Sequence, residues 1–136
     1  MSIRYSVITH PKYKYRLDAP YETRLQVVAA PPRSVLIPGG WVELTGTGIL
    51  RLQRGYMWDG PSGPALDTVG MHRASLIHDA LYQLIADRKL PKDPWKKHAD
   101  REFHIVMRQD NVPGWRALYA YWAVRLFGGG RDKYTP

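Results

Sequence analysis

The residues best suited to chemistry lie between Gly55 and Tyr82. The run Gly55-Tyr56-Met57-Trp58-Asp59-Gly60-Pro61-Ser62-Gly63-Pro64 cannot be a regular element. Pro61 and Pro64 lack amide donors, and Gly60 and Gly63 open conformations closed to other residues. A loop of this kind offers the Asp59 carboxylate, the Ser62 hydroxyl and its own carbonyls to a ligand or an ion. The run Arg73-Ala74-Ser75-Leu76-Ile77-His78-Asp79-Ala80-Leu81-Tyr82 reads as helix, with His78 and Asp79 adjacent and Tyr82 one turn on. Loop oxygens followed by a helical His-Asp pair point to a hard-metal or acid/base site.

Three helices are expected to position these groups. The first runs from about Met71 to Arg88, with Ala74, Ile77, Leu81, Leu84 and Ile85 as its apolar arc. His78, Tyr82 and Ser75 fall at the rim of that arc and Asp79 lies further round. The second opens on Asp93 as N-cap with Pro94 in the first helical position. Its apolar face is Trp95, Ala99, Phe103, Val106 and Met107, with Asp100 at the rim. Residues 89–92 make a short linker, so the two helices are antiparallel neighbours and Asp100 comes within reach of His78. The third begins after Val112-Pro113-Gly114 and stops at Gly128-Gly129-Gly130. Trp115, Leu118, Tyr119, Trp122 and Leu126 share one face of it, which reads as a packing face.

Residues 2–58 read as β. Tyr5–Ile8, Tyr13–Leu17, Arg24–Ala29, Ser34–Ile37, Trp41–Leu44 and Ile49–Gln53 are short runs rich in aromatic and branched residues, separated by proline and glycine turns. One small antiparallel sheet is the expected product. The fold class is therefore α+β: a β-rich half over residues 1–58, a Pro/Gly loop over 59–70, a helical half over 71–128 and a frayed tail over 129–136. At 136 residues, this is the length of a single domain.

Composition narrows the function. Hydrophobic residues are 44% and aromatic residues 12% of the chain, the balance of a globular protein. No apolar run is long enough to span a bilayer, and no signal-peptide pattern opens the chain, so synthesis in the cytoplasm is expected. With no cysteine, thiolate metal sites are excluded. The net charge of +8 favours an anionic partner. Because the basic residues are dispersed, nucleic acid is a weaker reading than an anionic phospholipid surface.

Taken together, His78 can draw a proton from water if its other nitrogen donates to Asp100, with the Tyr82 hydroxyl holding that carboxylate. Asp79 is free to ligate a cation, and the stretch Trp58–Gly63 (Trp58, Asp59, Gly60 and Gly63) can complete a calcium site with backbone carbonyls. Such an ion would polarise an ester carbonyl. The blander reading is a satisfied polar network that fixes helix packing. His72, His98 and His104 read as solvated helix residues, and Arg88 and Arg125 as partners of helix C-termini.

Two resemblances bear on this. His78-Asp79-Ala80-Leu81-Tyr82 and Ala99-Asp100-Arg101-Glu102-Phe103, preceded by a glycine-bearing loop, resemble the phospholipase A2 superfamily, most closely its cysteine-poor viral capsid members. That resemblance implies calcium-dependent acyl-ester hydrolysis with His78 as base. The loop lacks the superfamily's usual Tyr-x-Gly-x-Gly form, and the β-rich half has no counterpart there. Four motifs in order between Val35 and Arg131 resemble a family of phage and prophage proteins catalogued as domain of unknown function 1353. They are Gly-Tyr-Met-Trp-Asp-Gly-Pro-Ser-Gly-Pro, Ser-Leu-Ile-His-Asp-Ala-Leu-Tyr, Ala-Asp-Arg-Glu-Phe and Ala-Val-Arg-Leu-Phe-Gly. This implies a viral origin, a host-cytoplasmic or virion location and phage structural proteins as partners, but no activity. A non-catalytic docking protein that uses the loop and helix pair is the first alternative. A His-Asp metal phosphohydrolase is the second, although His72 stands too near and His10 lies in the β part to supply the further ligand.

Overall fold

The computed structural model describes residues 3–60 and 70–127. The expected loop residues Ser62 and Gly63, the Gly128–Gly130 stop and the tail lie outside these. Among the described residues the chain forms seven short strands followed by three helices, an α+β arrangement.

The strands make two antiparallel sheets where one was expected. The first joins β1 (Tyr5–Val7), β2 (Tyr15–Leu17) and β7 (Met57–Trp58) in the order β1-β2-β7. The second joins β3 (Tyr21–Arg24), β4 (Val35–Leu36), β5 (Val42–Leu44) and β6 (Ile49–Leu52) in the order β3-β6-β5-β4. Alternation sets the inner faces: Tyr15 and Leu17, Val42 and Leu44, and Leu50 and Leu52 are buried, while Arg16 and Arg51 point outward. Arg51 stands opposite both Glu22 and Glu43 and reaches the former at 2.9 Å. Exposed pairs of this kind add little stability but favour one register.

The expected strand at Arg24–Ala29 is displaced: β3 ends at Arg24. Leu25 and Val27 are buried in alternation as a strand would have them, and the Leu25 amide still donates to the Gly48 carbonyl at 2.9 Å, yet the acceptor for the next two amides is a side chain. The Glu102 carboxylate accepts the Gln26 amide at 2.8 and 2.9 Å and the Val27 amide at 2.9 Å. Burial raises the Glu102 pKa; the two amide donors pull it back only in part. Glu102→Ala leaves those amides without their acceptor, so it should lower stability by about 1–3 kcal/mol in a urea titration. The run around Trp58 also departs from expectation. Met57–Trp58 is regular after all, because its backbone pairs with β2.

In α1 (His72–Ala86) burial extends all round the helix rather than along one arc, taking in Arg73, Ser75, His78, Asp79 and Tyr82. The reason is that α1 is covered on two sides. It packs extensively on α2 (Lys92–Gln109). Its other side meets the β-rich half: Trp58 Nε1 donates to Ser75 Oγ at 3.2 Å, Tyr56 donates to Gln83 Oε1 at 2.7 Å and Arg73 Nη1 donates to Tyr21 at 3.1 Å. His72 is not a solvated residue, since its ring nitrogens meet the hydroxyls of Tyr5 at 3.1 Å and Tyr15 at 3.2 Å. In α2, Asp93 keeps an extended backbone (φ −104°, ψ 119°) ahead of the regular turns, and the expected apolar face is buried.

The third helix, α3 (Gly114–Phe127), reverses the expectation. Trp115, Leu118, Tyr119, Trp122 and Leu126 face outward, Trp115 being 69% and Trp122 52% exposed. Ala117 and Ala120 are buried instead, with Val124 partly so. Small side chains let the helix backbone come close to α2, where indole rings would hold it off. One core runs through both halves, from Leu17, Val42 and Leu50 to Ile77, Leu81, Phe103 and Ala120.

Candidate active site

Asp100 is the hub of the α1–α2 interface, its side chain 0% exposed. Oδ1 accepts His78 Nε2 at 2.8 Å and the Tyr82 hydroxyl at 2.5 Å. Oδ2 accepts Lys96 Nζ at 3.1 Å and Arg125 Nη1 at 3.0 Å. Helical spacing explains the convergence: His78 and Tyr82 are one turn apart on α1, and Lys96 and Asp100 one turn apart on α2. Burial alone would raise the Asp100 pKa, but its hydrogen bonds from His78, Tyr82 and Lys96 hold it below the ordinary carboxylate value. The hub is therefore an ionised carboxylate. Tyr82 shifts the other way, its phenol driven up first by burial and then by Asp100.

His78 lies against the Tyr82 ring (centroids 4.0 Å apart) and the Phe103 ring (4.8 Å). Burial pushes its pKa down; the carboxylates of Asp100 and Asp79 outweigh this and leave it raised. An ionised Asp100 can only accept, so Nε2 carries a hydrogen and a neutral His78 has its lone pair on Nδ1. Asp79 Oδ1 stands 3.9 Å from that nitrogen, too far for a hydrogen bond but close enough to act by charge. Asp79 Oδ2 is buried without a hydrogen-bond partner. A carboxylate in that state favours a positive neighbour.

The loop residues lie nearby. Tyr56 has its pKa raised well above the ordinary value by burial, then by the charges of Asp79, Tyr13 and Asp59. The Trp58 carbonyl already accepts the Lys14 amide at 3.1 Å, and its ring belongs to the core, so Trp58 serves the sheet first. Gly60 has φ +76°, and a Cβ there would meet the Tyr15 ring at 2.4 Å, so the chain can turn here only with glycine. Gly63 lies outside the described residues. Among those described, no group of three or more His, Cys, Asp or Glu side chains is disposed to hold a metal. A cation here would depend on Asp79 and Asp59 together with main-chain oxygens, a hard donor set that suits calcium.

The geometry thus brings His78, Asp100 and Tyr82 together, sets Asp79 beside them and leaves Ser75 outside, bonded to Trp58 and to the His72 carbonyl. Lys96 and Arg125 were not anticipated. Lys96 stands four residues before Asp100, a spacing that signals an ion pair. Arg125 comes from α3 and serves Asp100 rather than its own helix end.

A family model described as a protein of unknown function, DUF1353, matches residues 43–124. The chain belongs to the DUF1353 family. The DUF1353 match takes in most of β5, then β6, β7, α1, α2 and most of α3, and with them His78, Asp79, Tyr82, Lys96 and Asp100. Arg125 and the strands β1 to β4 fall outside the DUF1353 region. No curated protein and no solved structure is matched by the chain. Among the described residues no helix is long and apolar enough to cross a membrane.

Proposed function

We propose that this DUF1353 protein, encoded by a phage or prophage, is a calcium-dependent acyl-ester hydrolase acting on phospholipid, with His78 as its general base. The observation that supports this reading is the division of labour between the two nitrogens of His78. Nε2 is committed to an ionised, four-donor Asp100, which leaves Nδ1 as the proton acceptor. His78 takes the proton of a water at Nδ1 as the water oxygen attacks the ester carbonyl. Asp100 stabilises the imidazolium that forms, and Tyr82 keeps the carboxylate in place. The same proton then passes from Nδ1 to the departing alkoxide. Asp79 and Asp59, with main-chain carbonyls of the loop that follows Trp58, would hold calcium, whose charge would stabilise the oxyanion.

Calcium at a hundredfold excess over its Kd should stabilise the wild type by about 2.7 kcal/mol, read as a rise in melting temperature. Asp79→Asn should abolish that gain, because it removes the charged ligand. His78→Gln should keep the calcium gain yet lower hydrolysis of a monomeric short-chain phospholipid by roughly 10²–10⁴-fold. In the calcium-free protein the His78 ring should titrate above the ordinary 6.5, read by NMR, because the Asp100 and Asp79 carboxylates outweigh its burial. No calcium response at millimolar concentration, together with no hydrolysis, would overturn the reading.

A second reading is favoured by the self-sufficiency of Asp100, all four of whose donors come from the protein itself. Such a network can hold helices together for a phage docking protein without catalysis. In that case calcium has no effect, and substitutions at His78 and Asp100 act on stability alone.

A further inference from the structure

We propose that the outward face of α3 docks on an anionic phospholipid bilayer. Trp115, Leu118, Tyr119, Trp122 and Leu126 are all exposed. At about 100° per residue they fall within one arc roughly 100° wide, and along the axis they cover roughly 16 Å. No charged residue interrupts that arc. A contiguous apolar patch of this kind on an otherwise well-packed protein marks a surface that is covered in use. Its composition says by what. Indole and phenol rings with a polar edge suit the boundary between headgroups and acyl chains, and the two leucines suit the layer just beneath.

Charge separates the possible occupants. The α3 sequence contains no Asp or Glu, and its two charged residues are Arg116 and Arg125. Arg125, at one shoulder of the exposed arc, is committed to Asp100; Arg116, at the other, has a long side chain that can keep its charge at headgroup level while the rings go deeper. The chain as a whole carries +8, and Arg131 and Lys133 follow the helix in sequence. A second copy laid against this face would bring Arg116 toward a helix with no acidic residue to meet it, between molecules that repel each other overall. An anionic bilayer meets the apolar arc and the charge together.

The face is also tied to the His78 network. Arg125 donates to Asp100, and Lys96 Nζ joins Asp100 to the carbonyls of Val124 and Arg125, each at 3.1 Å. A bilayer on α3 would therefore lie about one helix diameter from the hub, roughly 10 Å. Docking itself does not require the hydrolase reading, because it can be measured without calcium or turnover.

The test is co-sedimentation with vesicles of mixed phosphatidylglycerol and phosphatidylcholine, against pure phosphatidylcholine, in the presence of a chelator. Wild type should pellet with the anionic vesicles, shift its tryptophan emission to the blue and release as salt is raised. Trp115→Ser/Trp122→Ser should bind roughly tenfold more weakly or less, as should Leu118→Gln/Leu126→Gln. Circular dichroism should show both variants folded, since all four side chains are exposed. The proposal is overturned if wild type stays in the supernatant, if it binds phosphatidylcholine equally well, or if both variants bind like wild type. It is equally overturned if light scattering finds a dimer that the tryptophan substitutions dissociate. Loss of ester hydrolysis with vesicle binding intact would count against the catalytic reading alone.

Discussion

Asp100→Ala is expected to destabilise the protein by about 3–5 kcal/mol in chemical denaturation, with the partial exposure of Lys96 and Arg125 drawing the value toward the lower end. The substitution leaves the buried His78 Nε2 and the Tyr82 hydroxyl without an acceptor, and two cations without their counter-charge. It should also change how stability depends on pH. The folded-state pKa of His78 is raised, so its contribution is complete below the unfolded value near 6.5 and is lost as pH rises through the folded value. That of Asp100 is lowered, so its contribution is present above 3.8 and is lost as pH falls through the folded value. The pair therefore contributes most between those two limits. In Asp100→Ala the advantage of that window should disappear, and an equal loss at every pH would contradict the assignment.

Trp58→Ala should have an effect of similar size, about 3–5 kcal/mol, while Trp122→Ala should cost less than about 1 kcal/mol. Trp58 is 1% exposed and lies against Tyr15 and Tyr5, with ring centroids 5.4 and 5.9 Å away. Its removal opens a cavity at the joint of β2, β7 and α1, and strips Ser75 of a donor. Trp122 loses only surface contacts, chiefly an edge-on approach to Tyr121. Equal midpoints for the two variants in a denaturant series would show that α3 packs through its aromatic face after all.

The contrast between these tryptophans marks where the sequence is legible. Proline and glycine punctuation and the 3.6-residue spacing delimit three helices, and the short 89–92 linker brings Asp100 to His78 and Tyr82. Those are local signals, strong because each residue states its own backbone preference. In α3, however, both sides of the helix are apolar. Hydrophobicity singles out the side with Trp115 and Trp122, whereas close approach of helices selects Ala117 and Ala120, and only the partner surface decides between them. The run from Arg24 to Ala29 poses the same difficulty for a strand. Alternation over the strands is only partial, so the inward turn of Leu25 and Val27 is not singled out, and nothing in the run indicates that Glu102 on a distant helix accepts its amides. Arg125 is hidden for that reason too, since an ion pair between helices leaves no spacing to read.

The grip of Glu102 on the amides of Gln26 and Val27 has a consequence for the order in which the protein is made. Those partners lie 76 and 75 residues before it in the chain. At roughly 5–20 residues per second, the ribosome delivers this acceptor some seconds after the segment that needs it. During that interval the alternating apolar run through Leu25 and Val27 has the main-chain donors of Gln26 and Val27 open, the kind of segment that pairs with other nascent chains. Glu102 is thus the residue whose arrival closes that edge.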